Sequence, residues 1–211
     1  MNLRTLFPVF GVVAALAVAP PAHAQSRFEF TPFVGTMLPL KVLAVDTAGV
    51  AAIEHTTGTS YGAKVTFWAA ARLGLEASAA FASSQLQVIS TAVLKIRSTT
   101  TMLDLRARYL LSNPLATNSV FITGGVGLVD HRNSLFDAGE ESDLLEYKAK
   151  IGFVVGMGAT FRVTSNLSLR ADVEDHIHSS ELNGDGLPGL EERTQHDLHI
   201  SLGAVVPFGS R

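Results

Sequence analysis

Residues 166–176 read NLSLRADVEDH. Leu167, Leu169, Ala171 and Val173 are apolar, and Ser168, Arg170, Asp172, Glu174 and His176 between them are polar and mostly charged. A period of two is that of a β-strand, whose successive side chains point to opposite faces. A helix of this sequence would spread charge around its whole circumference, so the charges belong to one face and the aliphatic groups to the other. Seven further stretches repeat the alternation, at about 27–38, 59–68, 72–81, 99–111, 120–129, 147–163 and 194–208.

The two faces have different characters. One carries aliphatic and aromatic residues, such as Phe28, Phe30 and Val34 in the first stretch and Leu103, Leu105, Ala107 and Tyr109 in the fourth. The other combines small residues with charges of both signs: Glu29, Glu76, Asp104, Asp172, Glu174 and Asp197 against Lys64, Arg106, Arg108, Lys148, Lys150 and Arg170, with His199 among them. Acids and bases balance there, as required if the charged face is buried and its ions must be paired. The connections alternate long and short. Long links fall at about 39–57, 83–97, 130–146 and 177–193, and short turns at 69–71, 112–118 and 164–165. The segment QVISTAVLKI within the second link is itself strand-like and could extend its hairpin. Aromatic residues cluster at strand ends, with Phe67, Tyr109, Phe161 and Phe208 at one level and Tyr61, Phe81 and Tyr147 at the other. Together these features predict an all-β fold: an eight-stranded antiparallel transmembrane β-barrel, an up-and-down meander with short periplasmic turns and four long extracellular loops.

The first residues have a different pattern. Arg4, the apolar run 6–18 and the Ala22-His23-Ala24 site predict a cleaved signal peptide over 1–24, leaving 25–211 as one barrel domain. The apolar run contains Pro8 and is too short for a retained span. Composition is 47% hydrophobic, yet after residue 24 the apolar residues fall at every second position instead of in blocks. The acidic balance, 19 Asp and Glu against 16 Lys and Arg, shows no basic patch and argues against nucleic acid. Cysteine is absent, so stability must come from packing and hydrogen bonds.

The architecture, the charged interior and the last strand resemble the small eight-stranded bacterial outer-membrane barrels of the OmpA and OmpX kind. The resemblance covers nearly all of 26–208. In that family the final strand carries an assembly signal of alternating hydrophobic residues ending in an aromatic, which Leu202, Ala204, Val206 and Phe208 match. Gly209-Ser210-Arg211 follow that aromatic, which is a departure. The resemblance implies an outer-membrane location and a structural, envelope-integrity or surface-interaction role carried by the extracellular loops. It also implies a monomer that has outer-membrane lipid, lipopolysaccharide and the barrel-assembly machinery as partners, with no cofactor. The surface partner is not identified.

Four other features bear on chemistry. His178-x-Ser180 resembles the His-x-Ser-Asn motif of outer-membrane lipid A deacylases, with Glu181 in place of the asparagine, so lipid modification is an alternative function. Strand parity points both residues inward, whereas that enzyme uses the lipid-facing wall. A narrow pore is a further alternative. His131, His176, His178 and His196, with Asp130, Asp175 and Asp185, fall near the outer rim without a diagnostic ligand spacing, and no metal site is assigned. The acidic third link, with Asp137, Glu140, Glu141 and Asp143, reads as a solvated surface, and Asn183-Gly184-Asp185-Gly186 as turn chemistry.

Overall fold

The computed structural model describes residues 27–40, 44–45, 52–89, 93–114, 116–133, 149–164, 166–180 and 193–208. The expected signal peptide, most of the third and fourth long links, Tyr147 and Lys148 lie outside the described residues. Ten strands follow in chain order: β1 (Arg27–Pro39), β2 (Ala44–Val45), β3 (Ala52–His55), β4 (Gly58–Trp68), β5 (Leu73–Ile89), β6 (Val93–Leu110), β7 (Asn118–Asn133), β8 (Lys150–Thr164), β9 (Leu167–Ser180) and β10 (Arg193–Phe208). Eight of them, β1 and β4 to β10, form a closed antiparallel barrel in which each pairs with its neighbour in the chain. The first and last strands complete it, in a register that runs from Phe28 opposite Phe208 to Pro39 opposite Asp197. Closure leaves no strand edge in the hydrocarbon, where an unpaired backbone N–H or C=O would cost several kcal/mol, a figure on the order of that for burial without a partner.

Alternation along each strand sorts the side chains. Val34, Val65, Leu75, Leu105, Val126, Met157 and Leu202 are exposed on the outside, where lipid covers them. Phe28, Tyr109, Phe161 and Phe208 mark the periplasmic boundary, with Phe28 packing on Phe67 at 5.1 Å between ring centroids. Tyr61 and Phe81 pair across β4 and β5 at the outer boundary, their centroids 5.9 Å apart. Two such girdles fix the depth of the barrel in the bilayer.

The links differ in part from the sequence expectation. Strands β5 and β6 remain paired to Ile89 and Val93, so most of the second long link is hairpin, as its QVISTAVLKI segment suggested. Within the first link, β3 pairs with β5 and β2 with β3, which adds a small sheet above the barrel. Strand β7 runs on to Asn133, four residues into the third link. Arg72, which shares its parity with the inward Gly74 and Glu76 and would be expected to face inward, is exposed, because it sits in the β4–β5 turn whose backbone bonds link Ala69 and Ala70 to Leu73. Several apolar residues face inward. Trp68, Leu110 and Phe121 close the periplasmic end of the bore, while Phe33, Met37, Ala80, Ala82, Met102 and Val129 form a cluster in its outer half.

Phe121 is wholly buried and lies over Gly158, its partner on β8. A Cβ at Gly158 would collide with the Phe121 ring and the Ala171 carbonyl. Gly158→Val is therefore expected to destabilise the barrel by about 1–3 kcal/mol, the usual cost of overpacking. Urea unfolding in lipid vesicles measures it; an unchanged midpoint would show that the ring does not occupy this position.

Candidate functional site

Between the two apolar clusters the bore is filled by charge. Glu76, on β5, is the centre of the arrangement. Its carboxylate accepts hydrogen bonds from Arg106 Nε at 3.0 Å, Arg170 Nη2 at 3.0 Å and Thr66 Oγ1 at 2.7 Å, and Arg170 Nη1 donates to its other oxygen. Strands β5 and β9 are four apart in either direction around the barrel, so the Glu76–Arg170 pair spans its full diameter. Arg170 also holds Asp172 on its own strand at 2.8 Å.

A second layer lies toward the outer face. Lys64 Nζ donates to Glu174 Oε1 at 2.8 Å and lies 3.1 Å from Asp172, tying β4 to β9. Arg106 also reaches Glu174 at 2.8 Å, so this carboxylate is shared between cations from two walls. On the periplasmic side Arg108 reaches Glu29 at 3.2 Å, linking β6 to β1, and donates to Thr160 at 3.1 Å. The guanidinium of Arg108 stacks 3.9 Å from the Phe121 ring centroid and 5.0 Å from that of Trp68, while Arg170 lies 4.7 Å from Phe121. The periplasmic aromatic plug thus contributes cation–π attraction as well as packing.

Histidines lie above the charges. His199 contacts Ser60 Oγ at 2.8 Å and Glu174 at 3.4 Å, and His176 Nε2 stands 3.3 Å from Asp104. His178 faces the bore near Asp197, at 3.8 Å. Of the inward charges named from the sequence, Glu29, Lys64, Glu76, Asp104, Arg106, Arg108, Arg170, Asp172, Glu174, Asp197 and His199 are buried. Lys150 is half-buried at the outer end of β8.

The rim histidines separate. His176 and His178 lie inside the bore, whereas His196 is on the outer face, where its Nδ1 is 2.8 Å from Asp175 Oδ2. Sequence reasoning placed both residues near the outer rim but did not pair them, although Asp175 at an apolar parity position was the signal that could have done so. The side chains of His131 and Ser180, and Asp185 as a whole, lie outside the described residues. Among the described residues no group of three or more His, Cys, Asp or Glu could hold a metal ion. On the last strand Leu202 and Phe208 are exposed, and Ala204 and Val206 are half-buried, all on the lipid side of β10.

Chemically, the bore is a closed electrostatic network joining β1, β4, β5, β6 and β9. Eight strands leave an interior that side chains can fill, and here they do so with paired ions. Comparison with other proteins bears on the barrel itself. The family model described as "Outer membrane protein beta-barrel domain" matches residues 10–204. Among solved structures, the chain is similar to the outer membrane protein OprG from Pseudomonas aeruginosa, with 15% identity, a TM-score of 0.67, and coverage of 89% of this chain and 98% of that one. It is also similar to Neisserial surface protein A, with 12% identity, a TM-score of 0.56, and coverage of 86% and 97%. The E. coli outer membrane protein W shares 15% identity and a TM-score of 0.54, over 88% of this chain and all of that one. No curated protein matches the sequence.

Removing one member of a buried ion pair leaves the others uncompensated, at a typical cost of about 3–5 kcal/mol. Glu76→Ala, which strips Arg106 and Arg170 of a shared acceptor, is expected to lose that much in urea unfolding from vesicles. The surface substitution Arg162→Ala, on an exposed side chain, serves as the reference and should change little. Equal effects of the two would mean that Glu76 is not paired inside the barrel.

Proposed function

This chain belongs to the outer membrane protein beta-barrel domain family and resides in the bacterial outer membrane, and we propose that it works there as a plugged scaffold for its extracellular parts. Its role in this reading is structural and surface-interactive: the barrel anchors, and the loops and the β5–β6 hairpin meet what lies outside. The observation that carries the reading is the Glu76–Arg170 pair across the full diameter, backed by Lys64, Arg106 and Glu174. A solute path along the axis would have to break several buried ion pairs. The apolar floor of Trp68, Leu110 and Phe121 would then block it again at the periplasmic end.

The reading is non-enzymatic. His178 faces the bore instead of the lipid, away from any acyl chain in the outer leaflet. The barrel is expected to be monomeric, because β1–β10 pairing leaves it no open sheet edge to share. Leu202, Ala204, Val206 and Phe208 serve as the assembly signal in this account, a role suited to the alternating outward positions of a terminal strand that must be recognised before closure.

Planar-bilayer recording of the refolded protein tests the reading. Wild-type protein is expected to give no stable open level, and the double variant Glu76→Ser with Arg170→Ser, which removes the spanning pair, is expected to admit small ions. A large, stable conductance from wild-type protein would overturn the plugged-scaffold reading.

A further inference from the structure

The buried charges of the bore do not cancel. Among the described residues four Lys and Arg side chains are buried, Lys64, Arg106, Arg108 and Arg170, against six Asp and Glu. Glu29 is held by Arg108, and Glu76 by Arg106 and Arg170. Asp172 and Glu174 share Lys64, with Arg170 and Arg106 as their second cations. The two acids left over are Asp104 on β6 and Asp197 on β10. Asp104 meets only the edge of Arg106, at 3.9 Å, a guanidinium already shared by Glu76 and Glu174. What faces both acids is imidazole. His176 Nε2 stands 3.3 Å from Asp104, and His178 Nε2 stands 3.8 Å from Asp197, which is also the register partner of His176.

A buried carboxylate without a cation is strongly disfavoured. One proton shared within each His–Asp pair removes the penalty, and two such protons bring the bore to neutrality. His199 stands outside this count, because its acid, Glu174, is already shared by Lys64 and Arg106; its ring lies 6.2 Å from that of His176. The other charged groups near the layer are these two cations on β4 and β6, Glu174 on β9 and half-buried Lys150 at the outer end of β8. Among the described residues β1, β5 and β7 bring no charged side chain into the bore at this level. The layer is also loosely bonded. His176 Nδ1 and Asp104 Oδ1 have no hydrogen-bond partner among the described residues, nor do the hydroxyls of Ser98 and Thr100, further outward on β6. Buried polar atoms in that state favour water once it can reach them.

We propose that the His176–Asp104 and His178–Asp197 pairs form a proton-operated lid over the plugged bore. With a proton held in each pair the outer half is sealed; as the protons leave, it parts and takes up water. The proposal rests on the plugged-scaffold reading, because the Glu76–Arg170 pair beneath stays closed throughout. The closed lid binds more protons than the hydrated open one, whose carboxylates are solvated and need no counter-charge. Opening therefore rises with pH through the range in which imidazole titrates, by up to about tenfold in open population per proton and pH unit. The lid faces the external medium. Ser98 and Thr100 stand opposite Ser84 and Ala82 where β5 and β6 enter the extracellular hairpin, so the response is felt at the foot of the part assigned to interaction.

Methionine supplies the probes. Met37 and Met102 are buried in the apolar cluster of the outer half, and Met157 is exposed on the lipid side. Methyl NMR of the refolded mature protein in lipid nanodiscs, with a soluble gadolinium chelate, reads the water exposure of each. Between about pH 5.5 and about pH 8.5 the paramagnetic relaxation of Met37 and Met102 is expected to rise on the order of tenfold, with Met157 unchanged. Asp104→Asn with Asp197→Asn removes the surplus acids and should stay sealed at both values. Each variant is first shown to fold by its heat-dependent gel shift. If that one does not fold, His176→Gln with His178→Gln, which cannot hold the protons, should be open at both. Equal shielding of the wild-type methyls at the two values, or an undiminished pH response in either double variant, would overturn the proposal. Bilayer conductance at the same two values separates the readings: a stable open level at either would count against the plug, whereas silent bilayers with pH-independent methyls would sink the lid alone.

Discussion

A sheet in hydrocarbon must satisfy every backbone hydrogen bond within itself, and in this chain that requirement is met by pairing β1 with β10. The rest of the structure depends on that closure. Once the sheet is closed, one face of every strand meets lipid and the other meets seven opposing strands across a narrow bore. Charges that would be tolerable on an open sheet are then forced together. They persist because Glu76, Asp172 and Glu174 find Lys64, Arg106 and Arg170 on other walls, and because Phe121 and Trp68 stack under the guanidinium groups. Buried ion pairs of this kind are weak evidence for stability in themselves, since well-packed apolar residues can do as well. Their consequence here is geometric: they tie β9 to β4, β5 and β6 at one level and occlude the axis.

The same division organises function. With the bore occupied and the wall greasy, the places left for specific chemistry are the outer mouth, the sheet above it and the band of outer wall at headgroup level. The lengthened β5–β6 hairpin, joined by β3 and β2, belongs to the second of these. The Asp175–His196 pair lies on the outer wall, as a polar interruption on β9 and β10 where the barrel leaves the hydrocarbon.

Strand number, meander order and the sign of each face were legible in the sequence, because a period of two needs no tertiary information. Arg170, Asp172 and Glu174 could be placed inside from their own neighbours alone. Their partners could not. That Arg170 meets Glu76, 94 positions away, depends on the stagger of all the strands between them. The inward apolar residues were also hidden: Phe33, Met37 and Phe121 occupy polar-face positions, and in a linear pattern an apolar residue there looks like noise. The β5–β6 extension was half visible, since its strand-like composition was plain but its continuity with the hairpin rested on pairing. Asp175 was misleading for the opposite reason, being an acid on the lipid-side parity that only its neighbour His196 explains.

The most direct test of the account is a solid-state NMR measurement in lipid bilayers of the contact between the Arg170 guanidinium nitrogens and the Glu76 carboxyl carbon. A strong nitrogen–carbon dipolar transfer between these two side chains, with the guanidinium protons protected from water exchange, is the predicted result. A freely exchanging Arg170 with no transfer to Glu76 would mean that the bore is open and hydrated. It would contradict the claim that this barrel is plugged by ion pairs across its diameter.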